Sequence, residues 1–115
     1  MNDHEHHGID YVELTAPDLR AAREFYQDAL GWAFTDYGPG YAGIHGTGDR
    51  EAGGIAESAD PVAPLVIVYS RDLEATLAGI VSAGGTTTPP YDFPGGRRFH
   101  FADPAGNQLA VWSEN

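Results

Sequence analysis

Four side chains in this sequence carry donor atoms that could hold a divalent metal: Glu13, His45, Glu57 and His100. Each lies in or beside a segment with the pattern of a β-strand. Imidazole and carboxylate together are ligands that zinc, iron and manganese accept. A strand histidine or glutamate is, however, more often solvated or hydrogen-bonded than metal-bound. A metal site made from these residues is therefore a hypothesis, which requires that the fold bring their side chains together.

A second group of histidines, His4, His6 and His7, surrounds Glu5 near the N-terminus. Short polar termini are usually frayed, so we predict a flexible N-terminus over residues 1–7 whose metal binding would be adventitious. The chain contains no cysteine. This excludes disulfides, a thiolate nucleophile and thiolate-ligated metals.

Composition limits the classes of function. A chain of 115 residues, 42% of them hydrophobic, is expected to form one domain with a buried core. Its formal charge of -11 repels phosphate backbones and anionic lipids, which argues against nucleic acid and membrane partners. No apolar stretch reaches the length of a membrane span, and the N-terminus lacks the pattern of a secretion signal. A soluble cytoplasmic protein is expected.

The elements that would position the candidate residues occur twice. Ile9–Leu14 has a strand pattern in which Tyr11 and Glu13 share one face, and a helix pattern runs from Asp18 to Gly31. Similar signals recur later in the chain, in a strand (Leu65–Tyr69) and in a helix that opens at Asp72, 54 residues after Asp18, and stops at Gly84-Gly85. We predict tandem β-α-β-β-β modules at about residues 8–58 and 62–113. Each is too small to bury its helix alone.

The chain ends in a predicted hairpin. Apolar runs at Phe99–Ala102 and Leu109–Trp112 flank Asp103-Pro104-Ala105-Gly106-Asn107. Proline presets a turn, glycine permits positive φ, and the Asp and Asn side chains can bond to the backbone. The expected result is two antiparallel strands joined by a tight turn.

Several short motifs, in this order and spacing, resemble the vicinal oxygen chelate superfamily, which comprises glyoxalase I, bleomycin resistance proteins and extradiol dioxygenases. The motifs are Asp18-Leu19, Phe25-Tyr26, Leu30-Gly31-Trp32, Gly53-Gly54-Ile55, Asp72-Leu73, Ala83-Gly84-Gly85 and Asp103-Pro104 with Gly106-Asn107. The resemblance covers Ile9 to Trp112. It implies an α+β fold in which the two modules form a curved-sheet cup, commonly completed by a homodimer.

The resemblance also implies where metal ligands would stand, and this sequence departs from that pattern. The first-strand histidine position is occupied by Tyr11, the fifth-strand histidine position falls near Leu65, and the last-strand glutamate position falls on Ala110. Leucine and alanine carry no donor atom. We therefore expect no metal cofactor. The alternative is one divalent ion, such as zinc, nickel, manganese or iron, on the non-standard set named above.

The same resemblance implies roles for other residues. Glu13 stands where several glyoxalase-like relatives have a glutamate, so it is the candidate catalytic acid or base. Arg98 would lie at the mouth of the cup and could bind an anionic group. The expected ligand-binding residues are Tyr11, Trp32, Phe99, Arg98 and Trp112.

Our leading hypothesis is a protein that binds a small, cationic or aromatic molecule, by sequestration or with weak acid/base chemistry. The main alternative is a metal-dependent lyase, isomerase or dioxygenase. An interaction module without small-molecule chemistry is the third possibility.

Overall fold

The computed structural model describes residues 4–115. Its strands and helices follow the order β1 (Ile9–Ala16), α1 (Leu19–Leu30), β2 (Phe34–Asp36), β3 (Tyr41–His45), β4 (Glu51–Glu57), β5 (Leu65–Tyr69), α2 (Leu73–Ser82), β6 (Thr86–Thr87), β7 (Tyr91–Phe93), β8 (Gly96–Ala102) and β9 (Gln108–Ser113). They group into two compact units. The first unit comprises residues 11–64, and the second unit comprises residues 65–115 with residues 4–10.

The first unit contains a four-stranded sheet in the order β2-β3-β4-β1. The β2/β3 and β3/β4 pairs are antiparallel, whereas β4 and β1 are parallel. One sheet face packs against α1 through a core of Leu19, Ala42, Ile44 and Ile55. Alternation along each strand sends the intervening side chains to the opposite face. We call this opposite face the far face of the first unit.

The second unit repeats this topology. Its strand order is β5-β9-β8-β6, with β5 and β9 parallel, and the short β7 also pairs with β8. Leu73, Phe99 and Val111 form the core between the sheet and α2. The sheet face opposite α2 is the far face of the second unit. The predicted α+β class and the tandem β-α-β-β-β architecture are confirmed.

Helix ends form as their residue types predict. Asp18 accepts a hydrogen bond from Ala21 N and Asp72 accepts one from Ala75 N, each at 3.1 Å, so both act as N-caps. Gly31 ends α1 with φ of 71°, which glycine adopts without strain.

The final hairpin also forms as predicted. Asp103 Oδ1 accepts hydrogen bonds from the backbone N–H groups of Ala105 and Asn107, each at 2.9 Å. The Asn107 side-chain amide donates to Asp103 Oδ2 at 2.8 Å, and Gly106 has φ of 93°. These bonds lower the pKa of the Asp103 carboxyl, with the side-chain bond from Asn107 as the largest cause.

No helix within residues 4–115 is long and apolar enough to cross a membrane.

Candidate ligand-binding sites

The far face of the first unit carries a cluster of three phenols and two carboxylates. Tyr11 and Glu13 lie two residues apart on β1, and Tyr41 lies on β3. Glu51 begins β4, and Tyr37 follows β2. We call these five residues the tyrosine–glutamate cluster.

Hydrogen bonds connect the cluster. The Tyr11 and Tyr41 hydroxyls lie 2.9 Å apart, and Tyr11 donates to Glu51 Oε1 at 3.2 Å. Tyr41 donates to Glu13 Oε2 at 3.1 Å. Tyr37 donates to the other oxygen of Glu51. Each carboxylate therefore accepts at least one phenol hydrogen, which holds both aromatic rings and negative charge in one place.

Two glycines make room for this arrangement. Gly43 and Gly54 are paired across β3 and β4, and Gly54 is also paired with Glu13. A Cβ added at Gly54 would lie 2.7 Å from the Tyr11 hydroxyl and closer still to that of Tyr41, and one added at Gly43 would lie 2.6 Å from Glu51 Oε2. A side chain larger than that of glycine at either position would occupy the space that the cluster side chains fill.

The environment keeps these phenols protonated. Burial is the largest cause that raises the pKa of Tyr11 far above its ordinary value of 10.0, and the hydrogen bond with Tyr41 adds to it. Burial likewise raises the pKa of Tyr41, with the negative charge of Glu13 contributing. The pKa of Tyr37 rises chiefly through its bond to Glu51. All three side chains are thus donors rather than anions over the physiological pH range.

The four residues of the alternative metal set have separate partners. Glu57 accepts a hydrogen bond from Leu19 N at 3.1 Å at the start of α1, on the opposite face of the sheet from Glu13. His45 Nε2 lies 2.7 Å from the Thr35 hydroxyl. His100 belongs to the second unit. Within residues 4–115, no group of three His, Asp or Glu side chains is arranged to hold a metal. Glu13 and Glu57 are not brought together.

The positions at which the family resemblance implies metal ligands do not fit a metal either. Leu65 begins β5, and Ala110 is completely buried in β9. Neither offers a donor atom. Tyr11 offers a phenol that is strongly held in its protonated form.

The far face of the second unit presents a row of large side chains. Strand pairing aligns Tyr69 of β5 with Trp112 of β9, Trp112 with Arg98 of β8, and Arg98 with Tyr91 of β7. At one end of this row the Tyr91 hydroxyl accepts from Arg98 Nε at 2.5 Å and lies 2.9 Å from His100 Nε2. The Arg98 guanidinium also lies over the Tyr91 and Phe93 rings. Arg98 and Trp112, two predicted ligand contacts, therefore share a face.

The N-terminal segment lies against the other end of this row. His7 N donates to Tyr69 O at 2.7 Å, and the His7 ring is 2.9 Å from the Thr76 hydroxyl. The His6 ring accepts from Arg71 N at 3.0 Å. His4 stacks on Tyr69. Residues 4–7, expected from sequence to be a flexible tail, thus make specific contacts; residues 1–3 lie outside the described part of the chain.

Two of the predicted ligand-binding residues, Phe99 and Trp32, pack toward the helices. Phe99 is 0% exposed and belongs to the core beneath α2. Trp32 stacks on Tyr26 of α1, with ring centroids 4.8 Å apart, and packs against the core of the first unit. The strand register directs Phe99 toward α2, so its complete burial is at odds with the expected ligand contact. Trp32 lies in the loop between α1 and β2 and is held by stacking on α1, so its ligand contact stays a prediction.

A separate surface cleft of about 620 Å³ lies beside α1 in the first unit. It contains charged side chains of both signs, including Arg20 and Glu24, which pair with each other at 3.4 Å. No member of the tyrosine–glutamate cluster lines it.

The sequence pattern did not indicate Tyr37, Tyr41 and Glu51 as site residues. Glu51 reaches the cluster because the β3/β4 register shifts at Ile44/His45. A sequence pattern does not reveal such a bulge. The paired Gly43 and Gly54 were the available signal, since glycines in neighbouring strands indicate close approach of other groups.

Comparisons with known proteins agree with this fold. Among curated proteins, the chain is 36% identical over 113 residues to the anthracycline biosynthesis protein DauV of Streptomyces sp. (strain C5). It is 28% identical over 118 residues to the putative glyoxylase CFP32 of Mycobacterium tuberculosis. These matches cover 90% and 92% of this chain but only 40% and 45% of the relatives. The chain therefore spans less than half the length of these relatives.

Solved structures share the fold at low sequence identity. Methylmalonyl-CoA epimerase from Mycobacterium tuberculosis superposes with a TM-score of 0.75 at 16% identity, covering 100% of this chain and 93% of that chain. The Mn(II)-bound glyoxalase from Novosphingobium aromaticivorans gives 0.71 at 21% identity, covering 94% and 39%. An extradiol ring-cleaving dioxygenase from B. fuscum gives 0.72 at 19% identity, covering 93% and 32%.

The family model named Glyoxalase/Bleomycin resistance protein/Dioxygenase superfamily matches residues 8–111, nearly the whole chain. Together with the duplicated β-α-β-β-β topology, this match shows that the chain belongs to the glyoxalase/bleomycin resistance protein/dioxygenase superfamily.

Proposed function

We propose that this chain binds a small cationic aromatic molecule at the tyrosine–glutamate cluster, without a metal cofactor. The observation that carries the proposal is the hydrogen-bonded assembly of three phenols around Glu13 and Glu51 on one sheet face. The ligand is held or sequestered there, and Glu13 supplies any acid/base step.

The chemistry of the cluster favours a cation. Carboxylates attract a protonated amine, and the faces of tyrosine rings attract it further. Phenols that stay protonated orient the carboxylates without adding negative charge of their own. The net charge of -11 concentrates cationic ligands near the protein. Tyr37 is 57% exposed, so the cluster reaches solvent at this residue.

The relatives suggest a class of ligand. Two relatives from Streptomyces are named anthracycline biosynthesis proteins. An anthracycline that carries an amino sugar is a flat aromatic compound with a protonated amine. The tyrosine rings of the cluster suit the aromatic part, and its carboxylates suit the amine. We therefore propose such compounds as first probes.

Glu13 is the proposed acid/base residue. Its Oε2 accepts a hydrogen bond from the Tyr41 hydroxyl at 3.1 Å, which holds the carboxylate in position. The same carboxylate would take a proton from a bound ligand or return one to it. Replacement by glutamine keeps the size of the side chain and removes the base. An activity that survives in Glu13→Gln would assign this residue to binding alone.

The test of the proposal is a calorimetric titration of daunorubicin against its sugar-free aglycone. Glu51→Gln should weaken daunorubicin binding by about 5- to 30-fold, the equivalent of about 1–2 kcal/mol for a cation held by a carboxylate among aromatic rings. The aglycone, which lacks the amine, should be insensitive to the same variant.

Glu24→Gln is the matched control, because Glu24 is an exposed carboxylate on α1 outside the cluster. It removes the same charge and should leave both titrations unchanged. Equal weakening by both variants would assign the effect to overall charge and contradict the proposed site.

Elemental analysis separates the proposal from the metal-dependent alternative. The untagged full chain is incubated with zinc, nickel, manganese and ferrous iron and then dialysed. We expect less than one tightly held metal per chain. A retained ion in equal molar amount would favour a metal-dependent lyase, isomerase or dioxygenase, and His45→Ala with His100→Ala would then test the ligands.

The homodimer that the family resemblance implies is part of the proposal. Light scattering should then give twice the 12.3 kDa mass of the chain. A single-chain mass at all concentrations tested would remove the dimer from the proposal.

A further inference from the structure

A second arrangement, in the second unit, already holds a nitrogen heterocycle. The His4 ring stacks on Tyr69 with centroids 4.8 Å apart and planes inclined by 24°. The edge of the Trp112 ring lies against it at 4.9 Å. His4 Nδ1 is 2.8 Å from Asp10 Oδ1. One imidazole is therefore held through its face, its edge and a ring nitrogen.

The acceptor in this arrangement is well positioned. The Asp10 side chain is only 5% exposed, and its second oxygen accepts a hydrogen bond from Trp112 Nε1 at 3.0 Å. Tyr69 donates to Glu114 Oε1 at 2.5 Å, which fixes the ring on which His4 stacks. A buried carboxylate beside two fixed aromatic rings is suited to a flat ring that carries an N–H and a positive charge.

The His4 ring is more exposed than the carboxylate that holds it. Its side chain is 31% exposed, while that of Asp10 is nearly buried. The residues that follow it are anchored independently, because His7 N bonds to Tyr69 O and the His6 ring accepts from Arg71 N. The ring can therefore leave while the segment behind it remains attached.

We propose that Tyr69, Trp112 and Asp10 form a binding site for a protonated nitrogen heterocycle, and that His4 is an internal occupant that competes with an external ligand. Tethering gives such an occupant an effective concentration in about the millimolar range. Ligands that bind more weakly than the His4 ring are thereby excluded, and ligands that bind more tightly displace it. The site lies within the second unit and does not depend on the proposed function of the first unit.

The test removes the His4 ring by substitution and supplies a free imidazole in its place. Trp32→Phe leaves Trp112 as the single tryptophan, so its fluorescence reports on the site. In this background, 4-methylimidazole is titrated into the chain with His4 and into His4→Ala at about pH 5.5, where imidazole is protonated. We expect saturable binding to His4→Ala that is at least about tenfold tighter than to the chain with His4.

Two controls distinguish specific binding at this site from non-specific binding to the protein surface. Asp10→Asn in the His4→Ala background keeps an acceptor for Trp112 but removes the charge, and should weaken binding of 4-methylimidazole by about tenfold or more. 4-Methylthiazole, a similar ring that is uncharged at this pH, should bind weakly to all variants.

A non-saturating response in His4→Ala, or equal binding by Asp10→Asn, would overturn the proposal. If His4→Ala does not fold, the unaltered chain provides the second measurement. Side-chain NMR of His4 should then move toward the signal of a solvent-exposed histidine as 4-methylimidazole is added. An unchanged His4 signal at the highest concentration would overturn the proposal as well.

Discussion

At the scale of single residues, the tyrosine–glutamate cluster makes a prediction about alkaline pH. The folded chain raises the pKa of Tyr11, Tyr37 and Tyr41 above the ordinary value of 10.0. Between the unfolded and folded values the native state binds more protons, so stability falls as the pH rises. The contribution is fully present below about pH 10 and is lost progressively above it.

Tyrosinate absorbance measures this directly. At about pH 11 the native chain should show less ionised tyrosine than the same chain in denaturant, by up to three residues per chain. Tyr11→Phe with Tyr41→Phe should remove most of that difference. Identical native and denatured titrations would contradict the assigned environment of these phenols.

Gly54→Ala tests the space that the phenols occupy. The added methyl group would overlap the Tyr41 hydroxyl and come within 2.7 Å of the Tyr11 hydroxyl. We expect the free energy of unfolding, measured in urea, to fall by about 1–3 kcal/mol, as for other overpacked sites. Binding at the cluster should weaken in the same variant.

Gly79→Ala is the contrasting substitution. Gly79 lies within α2, and an added Cβ there would meet no other atom within 4 Å. Alanine favours a helix over glycine by about 0.5–1 kcal/mol, so this variant should be more stable. Destabilisation of equal size in both variants would refute the packing explanation for Gly54.

At the scale of elements, the two helices begin with the same device in each unit. Asp18→Ala and Asp72→Ala each remove a capping carboxylate that accepts a backbone N–H at 3.1 Å. Each should lower the free energy of unfolding by about 1 kcal/mol in urea titrations.

Asp28→Ala is the control for charge. Asp28 lies near the C-terminal end of α1, where a negative charge is unfavourable and alanine is the better helix former. It should be neutral or slightly stabilising. A loss at Asp28 as large as that at Asp18 would indicate that the capping geometry is not responsible.

At the scale of the whole molecule, the charge of -11 sets the response to salt. Repulsion among like charges weakens the folded state, and salt screens it as the Debye length falls from about 30 Å at 0.01 M to about 8 Å at 0.15 M. The melting temperature should therefore rise over this range, by about 3–6 °C if screening restores about 1 kcal/mol. A decrease would indicate that attractive ion pairs dominate instead.

The duplicated architecture was predictable from the sequence because its signals are local. A capping aspartate, an apolar helical face and a glycine stop act within a few residues, and each recurs after 54 positions. The turn at Asp103–Asn107 was predictable for the same reason. The family motifs follow the same local elements, which is why the resemblance held over residues 8–111.

The members of the candidate sites were decided by tertiary structure. A strand side chain changes face with a one-residue change in register, so Phe99 was expected to contact a ligand and instead lies in the core beneath α2. Glu51 joins the cluster through a bulge, and His4 meets Trp112 across most of the chain's length. Residue types and the local periodicity of apolar residues specify each helix and strand. Which side chains meet is set by strand register and long-range packing, and a short segment carries no information about either.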